Sequence, residues 1–105
     1  MATDRLSSTF AALADPTRRR ILRELADAGP TTLGELSSRM PVTRQAVTKH
    51  LVVLQDAGLV DADGATRGRR YTFTPAAFTE AVDWIAEVGG WDERLARLKR
   101  QVENR

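Results

Sequence analysis

The sequence predicts a mainly α-helical fold with five or six helices and one small two-stranded β-hairpin. Its 105 residues suffice for a single domain. Apolar residues recur at spacings of three and four over most of the chain, which is the period of a helix packed on one face. Residues 59–74 instead combine two β-prone segments with a glycine-containing reversal, so this part of the chain predicts the hairpin.

The amino-terminal part predicts two helices that meet at Asp15 and Pro16. Asp accepts hydrogen bonds from the free amides at a helix start, and Pro fits the first helical position because its missing N–H needs no partner there. The second helix is expected to end at Gly29. The apolar stripe of the first helix, over about residues 3–14, consists of Leu6, Phe10 and Leu13. The residues of the second helix that we expect to face inward are Ile21, Leu22, Leu25 and Ala26.

Two shorter helices follow, and each begins at a threonine. Thr32 opens a capping box, because a Glu follows three residues later, and a helix over about residues 33–39 is expected behind it. Thr43 caps the next helix, which runs to about residue 57 and ends before Gly58. Its core stripe consists of Val47, Leu51 and Leu54. Two short helices joined by a brief turn are typical of a helix-turn-helix.

The chain after Gly58 predicts the hairpin and the closing helices. Residues 59–62 and 70–74 are β-prone, and the Asp-Gly step between them favours a chain reversal. A helix-turn-helix followed directly by such a hairpin is a winged helix-turn-helix. Helical spacing resumes after Pro75 and is interrupted at Gly89 and Gly90, where we expect the helix to bend or split.

Composition narrows the function classes. The chain has no cysteine and one histidine, His50, which excludes disulfides, thiolate zinc sites and two-histidine metal clusters. No nucleophile–base pair can be assembled, so we expect no enzyme, no metal and no cofactor. His50 lies beside the buried stripe of its helix, which favours a packed structural histidine over a pH switch. No apolar run could span a bilayer, and we expect a cytoplasmic protein.

Charge is segregated along the chain although the formal net charge is only +2. The arginines of residues 18–23 and 67–70, and the three basic residues of 39–55, have no acidic residue among them. Such segregation suits a basic face that meets a polyanion. Arg18, Arg19 and Arg20 lie near a helix start, where cations oppose the helix dipole. For these three we therefore expect pairing to Asp or Glu, within the protein or a dimer, rather than contact with DNA.

The helix that begins after Thr43 is the candidate base-reading element. Arg and Lys donate to guanine, Gln pairs with adenine, and Thr contacts phosphate or the thymine methyl group. The contacts expected on this helix are Thr43, Arg44, Gln45, Thr48 and Lys49. The phosphate or minor-groove contacts expected in the hairpin are Arg67, Arg69 and Arg70. The simpler alternatives are a solvated helix face and a basic loop that keeps the surface charged.

A late apolar stripe marks a candidate interface. The spacing of Trp84, Val88 and Trp91 favours packing against the first helix and against a second copy of the chain. We therefore expect a homodimer, and the residues expected at its interface are Leu6, Phe10, Leu13, Trp84, Val88, Trp91, Leu95 and Leu98. A small-molecule pocket around the two tryptophans is the alternative.

Four segments together resemble the ArsR family of bacterial winged-helix repressors over nearly the whole chain. They are ALADPTRRRIL (residues 12–22), GEL (34–36), TRQAVTKHLVVLQDAGLV (43–60) and RGRRYTFTP (67–75). The late tryptophans and WDERLARL (91–98) resemble the metal-independent, autorepressor-type branch of that family.

The resemblance implies a homodimeric repressor that binds an inverted-repeat operator in double-stranded DNA, with autoregulation as in that branch. Its DNA-binding core would span about residues 16–75, and its dimerisation helices about 3–14 and 76–103. Metal-sensing relatives carry a cysteine-bearing segment where this chain has residues 31–36, which argues against cysteine-based metal sensing. Val52 stands where relatives often have a basic residue.

A small-molecule effector stays open, and so does one competing interpretation. The winged helix could serve as a protein-interaction or dimerisation module that binds DNA only non-specifically. The basic segments would then bind an acidic protein partner, and binding that survives high salt would favour this interpretation.

Overall fold

A computed structural model describes residues 4–103, apart from the side chains at positions 91, 92, 102 and 103, and it confirms the mainly α-helical winged helix-turn-helix. The six helices are α1 (Arg5–Leu13), α2 (Pro16–Ala28), α3 (Leu33–Ser38), α4 (Arg44–Asp56), α5 (Phe78–Gly89) and α6 (Trp91–Glu103). A 3-10 turn at Pro75–Ala77 leads into α5. The strands are β1 (Thr31–Thr32), β2 (Val60–Asp63) and β3 (Arg70–Phe73).

The predicted helix ends are confirmed by their hydrogen bonds and backbone angles. The Asp15 carboxylate accepts from two backbone amides of α2 at 2.8 and 3.1 Å. The Thr43 hydroxyl accepts from a first-turn amide of α4 at 3.1 Å. Gly58 follows α4 with a φ of 77°, and Gly90 separates α5 from α6 with a φ of 67°. Because a left-handed φ is costly for residues with a Cβ, glycine at these positions ends each helix, and the last helical region is split.

The sheet has three strands rather than the two expected, in the antiparallel order β1-β3-β2. β1 pairs Thr31 with Tyr71 and Thr32 with Arg70. Two residues are too few to show the alternation that marks a strand, and Thr32 also caps α3, so the sequence predicts only its capping role. The added strand joins the start of α3 to the wing, which is the β2–β3 hairpin.

The core lies where α2, α3 and α4 meet the sheet. Its largest fully buried apolar side chains are Ile21, Leu25, Leu36, Val47, Leu51, Leu54, Leu59 and Val60. The predicted stripe of α4 is therefore confirmed. Ala26, which we expect to face inward, is instead exposed. Each residue turns about 100° around a helix, so Ala26 lies about 100° from Leu25, at the centre of the buried face, and falls outside that face.

Candidate nucleic-acid interface

The first two turns of α4 present polar side chains to solvent. Thr43, Arg44, Gln45, Thr48 and Lys49 are all exposed. The Thr43 hydroxyl caps the helix, and the Thr48 hydroxyl donates to the Arg44 carbonyl at 3.0 Å. Both hydroxyls thus already make a hydrogen bond within α4. Thr43 only accepts in its hydrogen bond, so the side-chain donors left for a ligand on this surface are those of Thr43, Arg44, Gln45 and Lys49.

The wing holds its three predicted arginines in different settings. Arg67 is exposed near the tip of the hairpin, and Arg70 is exposed on β3, where its register partner on β2 is Asp63. Arg69 is half-buried, and its Nε atom is buried without a hydrogen-bond partner within residues 4–103. A buried N–H without an acceptor is unfavourable.

Helix α4 and the wing line one groove of 490 Å³. Its lining residues come from α4, from the wing, and from the segment that joins β1 to α3: Arg44, Thr48, Thr66, Gly68, Arg69, Tyr71, Thr32, Leu33 and Gly34. None of these residues is acidic. Two guanidinium-bearing residues from separate elements, Arg44 and Arg69, therefore face one concave surface that has no carboxylate in its lining.

The α3 side of this groove is not predicted from the sequence. Thr32 is predicted only as a helix cap, and Gly34 and Thr66 are given no role. The one sequence signal for this side of the groove was the cap Thr32, followed two residues later by Gly34. Their place beside the wing depends on the pairing of β1 with β3, which local patterns do not show.

The three consecutive arginines of α2 bind backbone carbonyls. Arg18 donates from Nε to the Ala12 carbonyl at 2.7 Å, and Arg19 donates from Nη1 to the Leu13 carbonyl at 2.6 Å. Arg20 donates to a carbonyl at the end of α3 at 3.0 Å. The last carbonyls of a helix carry the negative end of its dipole, so they attract cations.

Within the described chain Arg19 and Arg20 therefore bond to carbonyls rather than to carboxylates, and their pairing to Asp or Glu across a dimer stays a prediction. Of the three, Arg18 alone approaches a carboxylate, that of Asp15, at a long 3.9 Å. The Arg18 Nη1 atom also lies 3.4 Å from the Nδ1 atom of His50. Arginine can only donate, so Nδ1 must accept in this contact. His50 is half-buried against α2, as expected of a packed structural histidine.

The helices α1, α5 and α6 carry apolar surface that the described chain leaves uncovered. Phe10 and Trp84 meet edge to face with ring centroids 5.8 Å apart, which joins α1 to α5. Trp84 nevertheless remains 46% exposed, and Val88 is 67% exposed. Leu95 and Leu98 are exposed on α6. These five side chains leave apolar surface exposed to solvent, as a homodimer interface requires.

The other residues expected at this interface are not observed as exposed apolar surface. Leu6 is half-buried, and Leu13 is half-buried and packs against the core of its own chain. The side chain of Trp91 lies outside the described part. Val82 and Ile85, which the sequence analysis does not select, are exposed on α5 as well. Their spacing of three along the helix was the signal for a second apolar stripe beside that of Trp84.

Among the side chains that the structure describes, no three of His, Cys, Asp or Glu are grouped so that they could hold a metal ion. No helix in the described part of the chain combines the length and apolarity needed to cross a membrane.

Comparison with known proteins agrees with this geometry. A family profile described as a helix-turn-helix domain matches residues 13–62. The HTH-type transcriptional regulator Rv2034 of Mycobacterium tuberculosis is 51% identical over 90 residues, which cover 80% of this chain and 82% of that protein. The HTH-type transcriptional regulator YuzN of Bacillus subtilis is 53% identical over 57 residues, and the match spans 49% of this chain and 62% of that protein.

Solved structures extend the likeness to nearly the whole chain. An ArsR-like transcriptional regulator from Rhodococcus superposes with a TM-score of 0.76 at 40% identity, covering 96% of this chain and 93% of that one. The cadmium metal-sensor CmtR of Mycobacterium tuberculosis superposes with a TM-score of 0.57 at 38% identity, covering 78% and 80%.

Proposed function

Because this chain belongs to the ArsR family of helix-turn-helix transcriptional regulators, we propose that it is a homodimeric repressor that binds an inverted-repeat operator in double-stranded DNA. The family consists of transcriptional regulators rather than enzymes. One observation carries the proposal: the acid-free groove that joins Arg44 and Thr48 of α4 to Arg69 of the wing. A concave basic surface beside an exposed helix start suits the phosphates that flank a major groove.

In this proposal α4 enters the major groove and reads bases with its first two turns. Arg44 and Gln45 have free side-chain donors and would bond to guanine and adenine edges, respectively. Lys49, one turn later, would donate to a base or a phosphate. Thr43 keeps its O–H donor and would contact a phosphate, whereas Thr48 donates within α4 and would contribute its methyl group to a thymine contact.

The wing would supply the part of the affinity that does not depend on base sequence. Arg67 and Arg70 are exposed and can each bind a phosphate. Arg69 lines the groove together with Arg44, and its guanidinium would donate to the DNA backbone. A phosphate at this position would also bridge the wing to Arg44 across the groove.

Two copies of the chain would associate through the apolar surface of Phe10, Trp84, Val88, Leu95 and Leu98. The residues outside the DNA-binding core of about 16–75 are then the dimerisation helices. Twofold symmetry would present one α4 to each half-site of an inverted repeat, with centres about 34–36 Å apart. Repression follows when such a dimer occupies a promoter.

The likeness to a cadmium sensor does not extend to its metal chemistry. This chain has no cysteine and a single histidine, so the soft ligands that cadmium prefers are missing from its sequence. We therefore propose a regulator without cysteine-based metal sensing, whose own concentration sets its promoter occupancy as in an autorepressor.

The test is fluorescence anisotropy of the full chain with its own upstream promoter fragment and with scrambled DNA, over a salt series. We expect a preference of about a thousandfold for the promoter and an affinity that falls steeply with salt. Equal, weak binding to both DNAs would refute promoter-specific autoregulation. Binding to an acidic protein that survives high salt would instead favour the protein-interaction module.

A further inference from the structure

A second concave surface lies between α2, the end of α1 and the end of the sheet, and the proposed DNA contacts do not use it. It is a cavity of 370 Å³ with an apolar wall and a polar margin. The apolar wall consists of Leu13, Leu22, Phe73 and Phe78. The margin consists of the exposed α2 residues Arg19, Arg23, Ala26 and Asp27. The volume falls within the range of small-molecule sites, about 300–1,000 Å³.

We propose that this cavity binds a small organic monocarboxylate with an aromatic or branched apolar body. The apolar wall reaches the protein core, because Leu22 is 5% exposed and Leu13, Phe73 and Phe78 pack against the core cluster. The rings of Phe73 and Phe78 lie 5.2 Å apart at a tilt of 58°, so two aromatic side chains form part of the wall. An apolar ligand body would displace water from this wall.

The charge at the margin selects an anion. Arg19 and Arg23 stand four residues apart on α2, where two like charges face each other and repel. Arg19 uses Nη1 for the Leu13 carbonyl and keeps its other donors. Arg23 makes no hydrogen bond or ion pair within the described part of the chain. A carboxylate would relieve the repulsion and accept a forked pair of hydrogen bonds. Asp27, four residues beyond Arg23, reduces the net charge of the margin from +2 to +1, which one carboxylate neutralises, so the margin favours a monocarboxylate.

The cavity borders an element of the wing and an element of the surface proposed for dimerisation. Phe73 is the last residue of β3, the strand that begins at Arg70 of the wing. Leu13 is the last residue of α1, which packs against α5 in the apolar surface proposed for dimerisation. A ligand that binds more tightly to one arrangement of these elements than to another would change operator affinity, and DNA would change ligand affinity by the same factor. This regulatory role rests on the proposed function, whereas ligand binding itself does not.

The binding test uses the full chain without DNA and titrates it with 2-naphthoate in a calorimeter. The uncharged 2-naphthamide, of the same shape, is the matched ligand. We expect one site per chain for 2-naphthoate and affinity weaker by about tenfold for the amide, because the amide lacks the charge-assisted hydrogen bonds. Phenylbutyrate and 4-methylpentanoate, tested in parallel, cover a longer aromatic body and a branched aliphatic body.

Two variants locate the site. R23Q should weaken 2-naphthoate binding by about tenfold, and A26F, at an exposed position, should fill the mouth and abolish binding. R39Q, an equal charge change at an exposed residue outside this cavity, should leave it unchanged. Failure of all three carboxylates to bind would overturn the proposal, as would equal affinities for acid and amide or a loss caused equally by R39Q. An operator affinity that saturating 2-naphthoate leaves unchanged would overturn the regulatory role alone.

Discussion

Replacing Arg67 by Gln in the wing should weaken binding to every double-stranded DNA by a similar factor. Arg67 is exposed and makes no hydrogen bond or ion pair in the described part of the chain, so its loss leaves the fold intact. A dimer contains two copies, and each phosphate neutralised adds about 0.9 to the slope of log K against log salt. The variant should therefore lower the magnitude of that slope by about 1.8, with the ratio of promoter to scrambled affinity preserved.

The same Arg-to-Gln substitution in α4 should have a different effect, because it should reduce the preference for the promoter. Arg44 is assigned to base reading, so R44Q should cost on the order of 1–3 kcal/mol at the operator and reduce the preference over scrambled DNA. Both variants lose one positive charge per chain, and the contrast between them isolates the role of position. R100Q, an equal change at an exposed residue of α6, serves as the control and should alter neither slope nor preference.

Anisotropy titrations of the two DNAs over a series of salt concentrations measure both quantities for all four proteins. The assignments are refuted if R67Q reduces promoter binding selectively with an unchanged salt slope. They also fail if R44Q keeps the full promoter preference, because α4 would then read no bases through this residue.

Three further outcomes follow from other contacts. W84A should raise the dimer dissociation constant by about 30-fold, because large aromatic residues often carry much of the binding energy of an interface. The control V52A, at an exposed position of α4, should leave this constant unchanged. Sedimentation equilibrium measures the constant for both variants. R18M should lower the free energy of unfolding by about 2–3 kcal/mol, because the carbonyls of Ala11 and Ala12 and the ring of His50 lose a charged donor. R23M, with no such partners, should lie within about 0.5 kcal/mol of the parent in urea unfolding at one fixed protomer concentration. Asp15 has its pKa lowered below 3.8, chiefly by the Arg18 backbone amide. Its stabilisation is thus present above that pH and is lost as the pH falls through the lowered pKa, so D15N should flatten the acid side of the stability curve.

Local chemistry explains what the sequence predicts well. Asp15 and Thr43 begin helices because their side chains accept from amides two or three residues away, and Gly58 ends α4 through its own φ. The stripe of Val47 and Leu51 follows from helical period alone. Each of these features is encoded within a few neighbouring residues, so reading the chain in order is sufficient to find it.

Features that depend on distant partners are not found this way. β1 exists because Thr31 pairs with Tyr71, 40 positions further along the chain. The three arginines of α2 find carbonyls at the ends of α1 and α3, although acidic partners are the natural expectation from charge. The groove that joins Arg44 to Arg69 depends on the same long-range pairing. Spacing within one element carries no information about which other element it meets.

The contacts of Arg18 connect the two halves of the proposed mechanism. This one side chain, from α2, donates to the Ala12 carbonyl of α1 and reaches His50 on α4. The helix α1 in turn packs against α5 through Phe10 and Trp84. The recognition helix is therefore tied by direct contacts to the helices proposed to form the dimer. Half-site spacing would then be set by how two copies pack, because no flexible linker intervenes between interface and recognition helix. The cavity beside Leu13 borders the same α1–α2 junction, so a ligand there would act where a small shift changes the separation of two recognition helices.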